Sequence, residues 1–280
     1  MRIISSPQLL QKEIVRLKRK GKIIGFVPTM GYFHEGHLSL IRKAREDCDV
    51  VVVSIFVNPL QFNPREDLKK YPRDIKRDMS LCRNYTDILF CPDVKSMYPD
   101  NFLTEVKVDR IGDILCGASR PGHFKGVNTV VNKLFNIVLP DIAYFGQKDA
   151  QQAVIIKKMV CDLNMPIEIK VLPIVREYDG LAMSSRNVYL SETERKDAVV
   201  LYKSLILAKN LIKDGVIDCP KIISKMRKYI LKTRNARIDY ISIVEPDTLS
   251  FLKRIKRKAL VLLAVFIGKT RLIDNMVTKR

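Results

Sequence analysis

Two histidines three positions apart, His34 and His37, stand in the segment Met30-Gly31-Tyr32-Phe33-His34-Glu35-Gly36-His37. Imidazoles so spaced beside a glycine can donate hydrogen bonds to phosphate oxygens and to the negative charge that develops in phosphoryl or nucleotidyl transfer. The third histidine, His123, lies in Arg120-Pro121-Gly122-His123-Phe124. Three histidines with an open fourth position would also suit zinc-assisted hydrolysis, but Arg120 and Lys125 oppose a cation there. Lys148, in Gly146-Gln147-Lys148-Asp149, adds a full charge to an anion site at a helix start. Its plain alternative is a solvated lysine in a turn capped by Asp149. Met183-Ser184-Ser185-Arg186-Asn187 brings two hydroxyls, backbone amides and a guanidinium that suit β and γ phosphates, or else an ordinary polar linker.

These groups need a frame. Ile23 to Val27 is a short apolar run ending in Pro28-Thr29-Met30-Gly31, and Leu38, Leu40, Ile41 and Ala44 then recur at helical spacing. Val50 to Val57 is nearly all apolar, as a strand covered by helices on both faces must be. Helices at 74–85, 127–138 and 149–163 alternate with strands at 88–91, 142–145 and 167–174, which predicts a parallel, right-handed, doubly wound sheet of Rossmann-like α/β class. Ligands bind such sheets at the carboxyl ends of the strands, where His34, His37 and Lys148 fall. After Arg176 the texture changes. We place a domain boundary there, with 1–176 binding the ligands and 177–280 forming a smaller α+β unit. Helices at about 191–213 and 220–233 and strands near 239–244 and 259–267 suit a lid or dimerising element.

The 280 residues are enough for about two domains. Lys and Arg number 50 against 30 Asp and Glu, a net +20 that attracts nucleic acid, membrane headgroups or phosphate-rich small molecules. The basic run Lys253-Arg254-Ile255-Lys256-Arg257-Lys258 could serve a nucleic-acid binder, though most such runs are solvated faces. Six cysteines, the closest pair nine positions apart, give no C-x-x-C spacing and suggest free thiols in a reducing cytoplasm. Charges interrupt every apolar run in Met1 to Lys22, and no run approaches the ~18 residues of a membrane span, so a soluble, unexported protein is expected. Gly268-Lys269-Thr270 ends like a P-loop, but Leu263 stands where its first glycine belongs.

Taken in order, the histidine pair, the lysine loop and Met-Ser-Ser-Arg resemble the nucleotidyltransferase superfamily. More narrowly, the chain resembles the pantothenate synthetase (pantoate:beta-alanine ligase) family. The likeness also runs through Val57-Asn58-Pro59-Leu60-Gln61-Phe62, Tyr71-Pro72-Arg73, Arg120 to Val131, Phe145 to Gln152, Asp179 to Asn187 and Thr270-Arg271-Leu272-Ile273-Asp274-Asn275. The resemblance implies condensation of pantoate with beta-alanine, driven by Mg-ATP through a pantoyl adenylate. It implies ATP contacts from Met30, Gly31, Tyr32, Phe33, His34, Glu35, Gly36 and His37, from Gly146, Gln147, Lys148 and Asp149, from Val175, and from Met183, Ser184, Ser185 and Arg186. His37 would be the proton donor, with His34, Lys148 and Arg186 catalytic beside it. Gln61 and Gln152 would hold pantoate, neutral amides that leave its carboxylate nucleophilic, and Gln61 would also meet beta-alanine. Asp78 would contact magnesium unless it merely occupies a solvated helix face. A cytoplasmic homodimer, with no nucleic acid or membrane partner, is the corresponding expectation. A relative acting on another acid or on tRNA is the rival reading, although no anticodon-reading module is apparent.

Overall fold

The computed structural model describes residues 1–63 and 68–279. From the N-terminus, β1 (Arg2–Ile4) and α1 (Pro7–Arg19) precede β2 (Ile24–Thr29), α2 (Glu35–Asp47) and β3 (Val50–Ile55). Then follow α3 (Ile75–Cys82), β4 (Ile88–Phe90) and the short helices α4 (Val94–Met97) and α5 (Cys116–Ser119). The longest helix, α6 (His123–Val138), leads to β5 (Ile142–Gly146), α7 (Ala150–Asp162) and β6 (Glu168–Leu172). These six strands form one parallel sheet in the order β1-β4-β3-β2-β5-β6.

Its helices cover both faces, which is why the strands read as continuous apolar runs rather than alternating ones. Phe26, Val50 and Val52 pack with Leu10 and Ile14 of α1 and with the Val127-to-Val138 face of α6. Val27, Val51 and Val53 point the other way, onto Leu38, Ile41 and Ala44 of α2 and Cys82 of α3. The chain winds outward in both directions from the β2–β5 pair, so the crevice lies beyond the carboxyl ends of those two strands. Strand β2 runs past the apolar stretch that ends at Val27, through Pro28 to Thr29. Proline fits because β5 pairs only with Gly25 and Phe26, so no neighbour on that side needs an N–H from residue 28. That early parting of β2 from β5 opens the crevice.

The rest of the chain adds α8 (Glu192–Asp197), α9 (Val200–Lys213), α10 (Cys219–Ile230) and an antiparallel sheet of β7 (Ala236–Val244), β8 (Lys258–Ile267) and β9 (Thr270–Lys279). The single helix expected over 191–213 is two, broken at Ala198 and Val199. Strand β8 is apolar on both faces for a reason. Val261, Leu263 and Val265 pack under α9 and α10, whereas Leu260 and Leu262 pack on Leu115 and Ala150 of the first unit. Gly268 and Lys269, the tail of the P-loop-like string, form the β8–β9 turn, with Gly268 at φ +56°.

Candidate active site

The 30–37 loop is set by a buried acid. Asp78, 1% exposed on α3, accepts the amide N–H groups of Tyr32 and Phe33 at 2.7 Å each. Gly31 (φ +83°) and Tyr32 (φ +53°) are left-handed there, a backbone course that needs such an anchor. Phe33 is fully buried below, and Thr29 Oγ1 accepts the Gly31 amide at 3.1 Å. Burial pushes the Asp78 carboxyl up, an effect only partly offset by the Phe33 and Tyr32 amides and by Arg77. Asp78 therefore lies beneath the loop, not on a solvated face and not in the cleft lining.

His34 caps α2 and its ring Nδ1 accepts the Gly36 amide at 3.1 Å, while Nδ1 of His37 accepts the His34 amide at 3.3 Å. A Cβ on Gly36 would lie 2.8 Å from His34 Cε1, so any side chain there would displace the His34 ring. The rings sit 4.1 Å apart. Burial, together with the Lys148 charge, pushes His34 down to about 4. Burial, His34 and Lys148 together hold His37 well below the ordinary histidine range. Both rings are neutral at pH 7, and with Nδ1 accepting, the proton of each is on Nε2.

Lys148 comes from the 3₁₀ turn Gln147–Asp149, which directly follows β5; its Nζ lies 3.9 Å from Asp149. The arginine loop comes from 3₁₀ turn Ser185–Tyr189, where Ser184 Oγ accepts the Arg186 amide at 3.3 Å. Ser185 Oγ and Tyr71 OH are 3.0 Å apart, and Tyr189 donates to the Lys70 carbonyl at 2.9 Å. Met183 N–H donates to Val175 O at 3.0 Å, which brings those two residues together.

Gln61 is buried in a network of amides. Its Oε1 accepts from Asn58 Nδ2 at 3.1 Å and its Nε2 points to Met30 Sδ at 3.0 Å. Asn58 in turn donates to Gly126 O at 3.1 Å and accepts from Tyr98 OH at 2.9 Å. His123 donates through Nδ1 to Gln61 O at 2.9 Å, and Arg120 reaches its Nε2 at 3.0 Å, so this histidine braces the Gln61 turn instead of joining His34 and His37 around a metal. Gln151 and Gln152 divide their tasks: Gln151 uses its amide on Cys116 N, Ile111 O and Ile114 O, while Gln152 faces the cleft.

One cleft, open at its mouth, gathers most of these groups. Met30, His34, Gly36 and His37 line it with Gln61, Gly146, Lys148, Asp149, Gln152 and Val175, and Met183 to Arg186 complete the wall. Phe56, Val127, Val130, Val131 and Leu134 make an apolar side. Gly31, Tyr32, Phe33, Glu35 and Gln147 do not line it: Glu35 pairs outward with Arg42, and Gln147 turns to Asn275. Among the described lining residues Asp149 is the carboxylate. Asn58 and Asn275 stand in segments that carry the family likeness, but their long-range contacts, like those of Tyr98, depend on partners far along the chain.

The model of the family described as pantoate-beta-alanine ligase matches residues 2–277. The curated pantothenate synthetase of Caldicellulosiruptor bescii is 55% identical over 280 residues, covering 100% of this chain and 99% of that one. That of Acetivibrio thermocellus is 56% identical over 284 residues, with full coverage of both. Among solved structures, pantothenate synthetase from Thermus thermophilus superposes with a TM-score of 0.94 at 44% identity, over 99% of each chain. Pantoate-beta-alanine ligase from Francisella tularensis, complexed with beta-gamma ATP and beta-alanine, gives 0.82 at 37% identity, over 99% of this chain and 97% of that one.

Proposed function

The chain belongs to the pantoate-beta-alanine ligase family, and from that premise we propose that it joins the two acids by way of pantoyl adenylate, with ATP as the activating substrate. The pantoate carboxylate attacks the α-phosphorus in line and pyrophosphate leaves. The beta-alanine amine then attacks the acyl carbonyl, and AMP leaves as pantothenate forms. A carboxylate is a poor acyl donor, and the adenylate supplies its leaving group. ATP and beta-alanine, named for the Francisella ligase, fit that sequence of steps.

The single observation that carries this reading is the mixed lining of one cleft. His34, His37, Lys148 and Arg186 bring imidazoles and cations that suit a triphosphate and the charge that grows on it as pyrophosphate departs. Gln61 and Gln152 bring neutral amides beside the apolar side formed by Phe56, Val127 and Val130, while Arg120 and His123, which also line the cleft, are engaged at the Gln61 carbonyl. Pantoate has a carboxylate, two hydroxyls and a dimethyl-substituted carbon, and each finds its chemical counterpart there. Amides hold the carboxylate without neutralising it, so it stays nucleophilic. Triphosphate charge beside the imidazoles favours their protonated form, so His37 gains proton-donor character with the nucleotide bound.

Magnesium fits this lining as the triphosphate's counter-ion. It usually takes one or two protein carboxylates plus substrate oxygens, and Asp149, which lines the cleft, suits that place better than Asp78, whose oxygens hold two amides. When bound, it would neutralise charge on the departing pyrophosphate. In the same proposal residues 1–176 form the body of the ATP and pantoate site, residues 177–280 add the 183–186 loop and shield the adenylate from water, and the protein works as a cytoplasmic homodimer. Among the described residues no helix is long and apolar enough to cross a membrane.

The test is exchange of labelled pyrophosphate into ATP. Exchange that requires pantoate but not beta-alanine supports the scheme, and a panel of other acids should give none. A requirement for both substrates before any pyrophosphate release would overturn it.

A further inference from the structure

The dipeptide Asp274-Asn275 of β9 holds the lysine turn directly and is linked to the arginine loop through Arg176. Asn275 is 2% exposed. Its Nδ2 donates to Gln147 O at 2.9 Å and to Lys148 O at 3.0 Å, and its Oδ1 accepts from Gln147 Nε2 at 3.1 Å. Both amide hydrogens and one oxygen lone pair are thus devoted to a two-residue turn far away in the chain. Asp274, also 2% exposed, grips Arg176 at 2.7 and 2.9 Å and accepts the Asn275 amide at 2.7 Å. Arg176 donates on to Gly180 O at 3.0 Å and pairs across with Ala182, at the root of the segment that carries Ser184, Ser185 and Arg186.

Successive residues of a strand point to opposite faces, so one dipeptide reaches two loops at once. We propose that Asn275 is a positioning residue for Lys148, and that with Asp274 it fixes the spacing between the lysine and arginine loops. The C-terminal sheet is then more than a cover. Its last strand is the part to which both phosphate-facing cations are referenced, so any movement of that sheet carries the two together. The backbone of Lys148 is held at its carbonyl, while its side chain remains directed to the cleft. This inference rests on the adenylation reading given above.

The experiment is a double-mutant cycle read by pantoate-dependent pyrophosphate exchange, with a thermal melt of every variant. Lys148→Ala should lower exchange by about 100- to 1,000-fold. Asn275→Ala should lower it by about 10- to 100-fold, the scale of a displacement near 1 Å, with the KM for pantoate within about twofold of the parent. In the Lys148→Ala background the same change should alter the rate by less than about twofold. Should Asn275→Ala not fold, Asn275→Asp, nearly isosteric but with a carboxylate facing two carbonyls, replaces it with the same expectations. Multiplying losses, an Asn275 variant as active as the parent, a harmless Lys148→Ala, or a pantoate KM rising in step with the lost rate would each overturn the proposal. A parent protein without exchange would instead strike down the adenylation reading beneath it, and the inference with it.

Discussion

The backbone amide of His34 donates to Nδ1 of His37 across 3.3 Å, so the second imidazole is oriented by the residue that carries the first. The Gly36 amide does the same for His34, and both rings therefore show Nε2–H to the cleft. Their pKa values fall chiefly through burial, His34 to about 4.

The pH consequence has a definite sign. A histidine whose folded pKa is depressed contributes stability that is complete above its unfolded value near 6.5 and is lost as the pH falls towards 4. Following the Cε1 proton of His34 by NMR should show a neutral ring down to about pH 5 in the protein alone. A midpoint near 6.5 would contradict the assignment.

Gly126 of α6 lies against the turn that carries Gln61. A Cβ there would fall 2.2 Å from Leu60 O and 2.6 Å from Gln61 N, both backbone atoms that cannot swing aside. Gly126→Ala should push that turn away and cut kcat/KM for pantoate by about 10- to 100-fold. The KM for ATP should stay near its parent value, since the lysine and arginine loops do not touch this contact. Equal losses for both substrates would argue against a pantoate role for the Gln61 turn.

Asp78 separates a loop anchor from a metal ligand. Removing its carboxylate in Asp78→Ala leaves the buried amides of Tyr32 and Phe33 without their acceptor, at about 1–3 kcal/mol each. Melting should fall by roughly 5–10 °C, and exchange should fall with it at every magnesium concentration. An unchanged melting point with a raised magnesium requirement would restore the metal role.

Much of the frame was legible because a sheet covered on both faces leaves nothing ambiguous in Val50–Ile55, and because the histidine pair follows a strand directly. The three-residue β1 leaves only a faint trace, whereas α1 carries a readable helical pattern although it is not among the expected elements: Leu10, Ile14 and Leu17 follow a Ser6 cap and Pro7 at the helix start. Strand β9 hid for another reason. Its alternation is broken where Asp274 and Asn275 are both buried, polar residues inside because Asn275 holds the turn at Lys148 and Asp274 holds Arg176. The same holds in the cleft. His34, His37, Lys148 and Arg186 were readable as chemistry, whereas the contrast between Gln151 and Gln152 depends on which face of α7 meets residues 111–116. Nor could the break at Ala198 and Val199 be seen, as neither residue interrupts a helix by its own conformational preference.

Activation of the acid by adenylation is tested most directly by the fate of its oxygen. Pantoate carrying oxygen-18 in the carboxylate, incubated with ATP, magnesium and beta-alanine, should yield AMP with one labelled oxygen per turnover and pantothenate retaining the other. Unlabelled AMP, or label appearing in inorganic phosphate, would mean that the carboxylate never attacked the α-phosphorus.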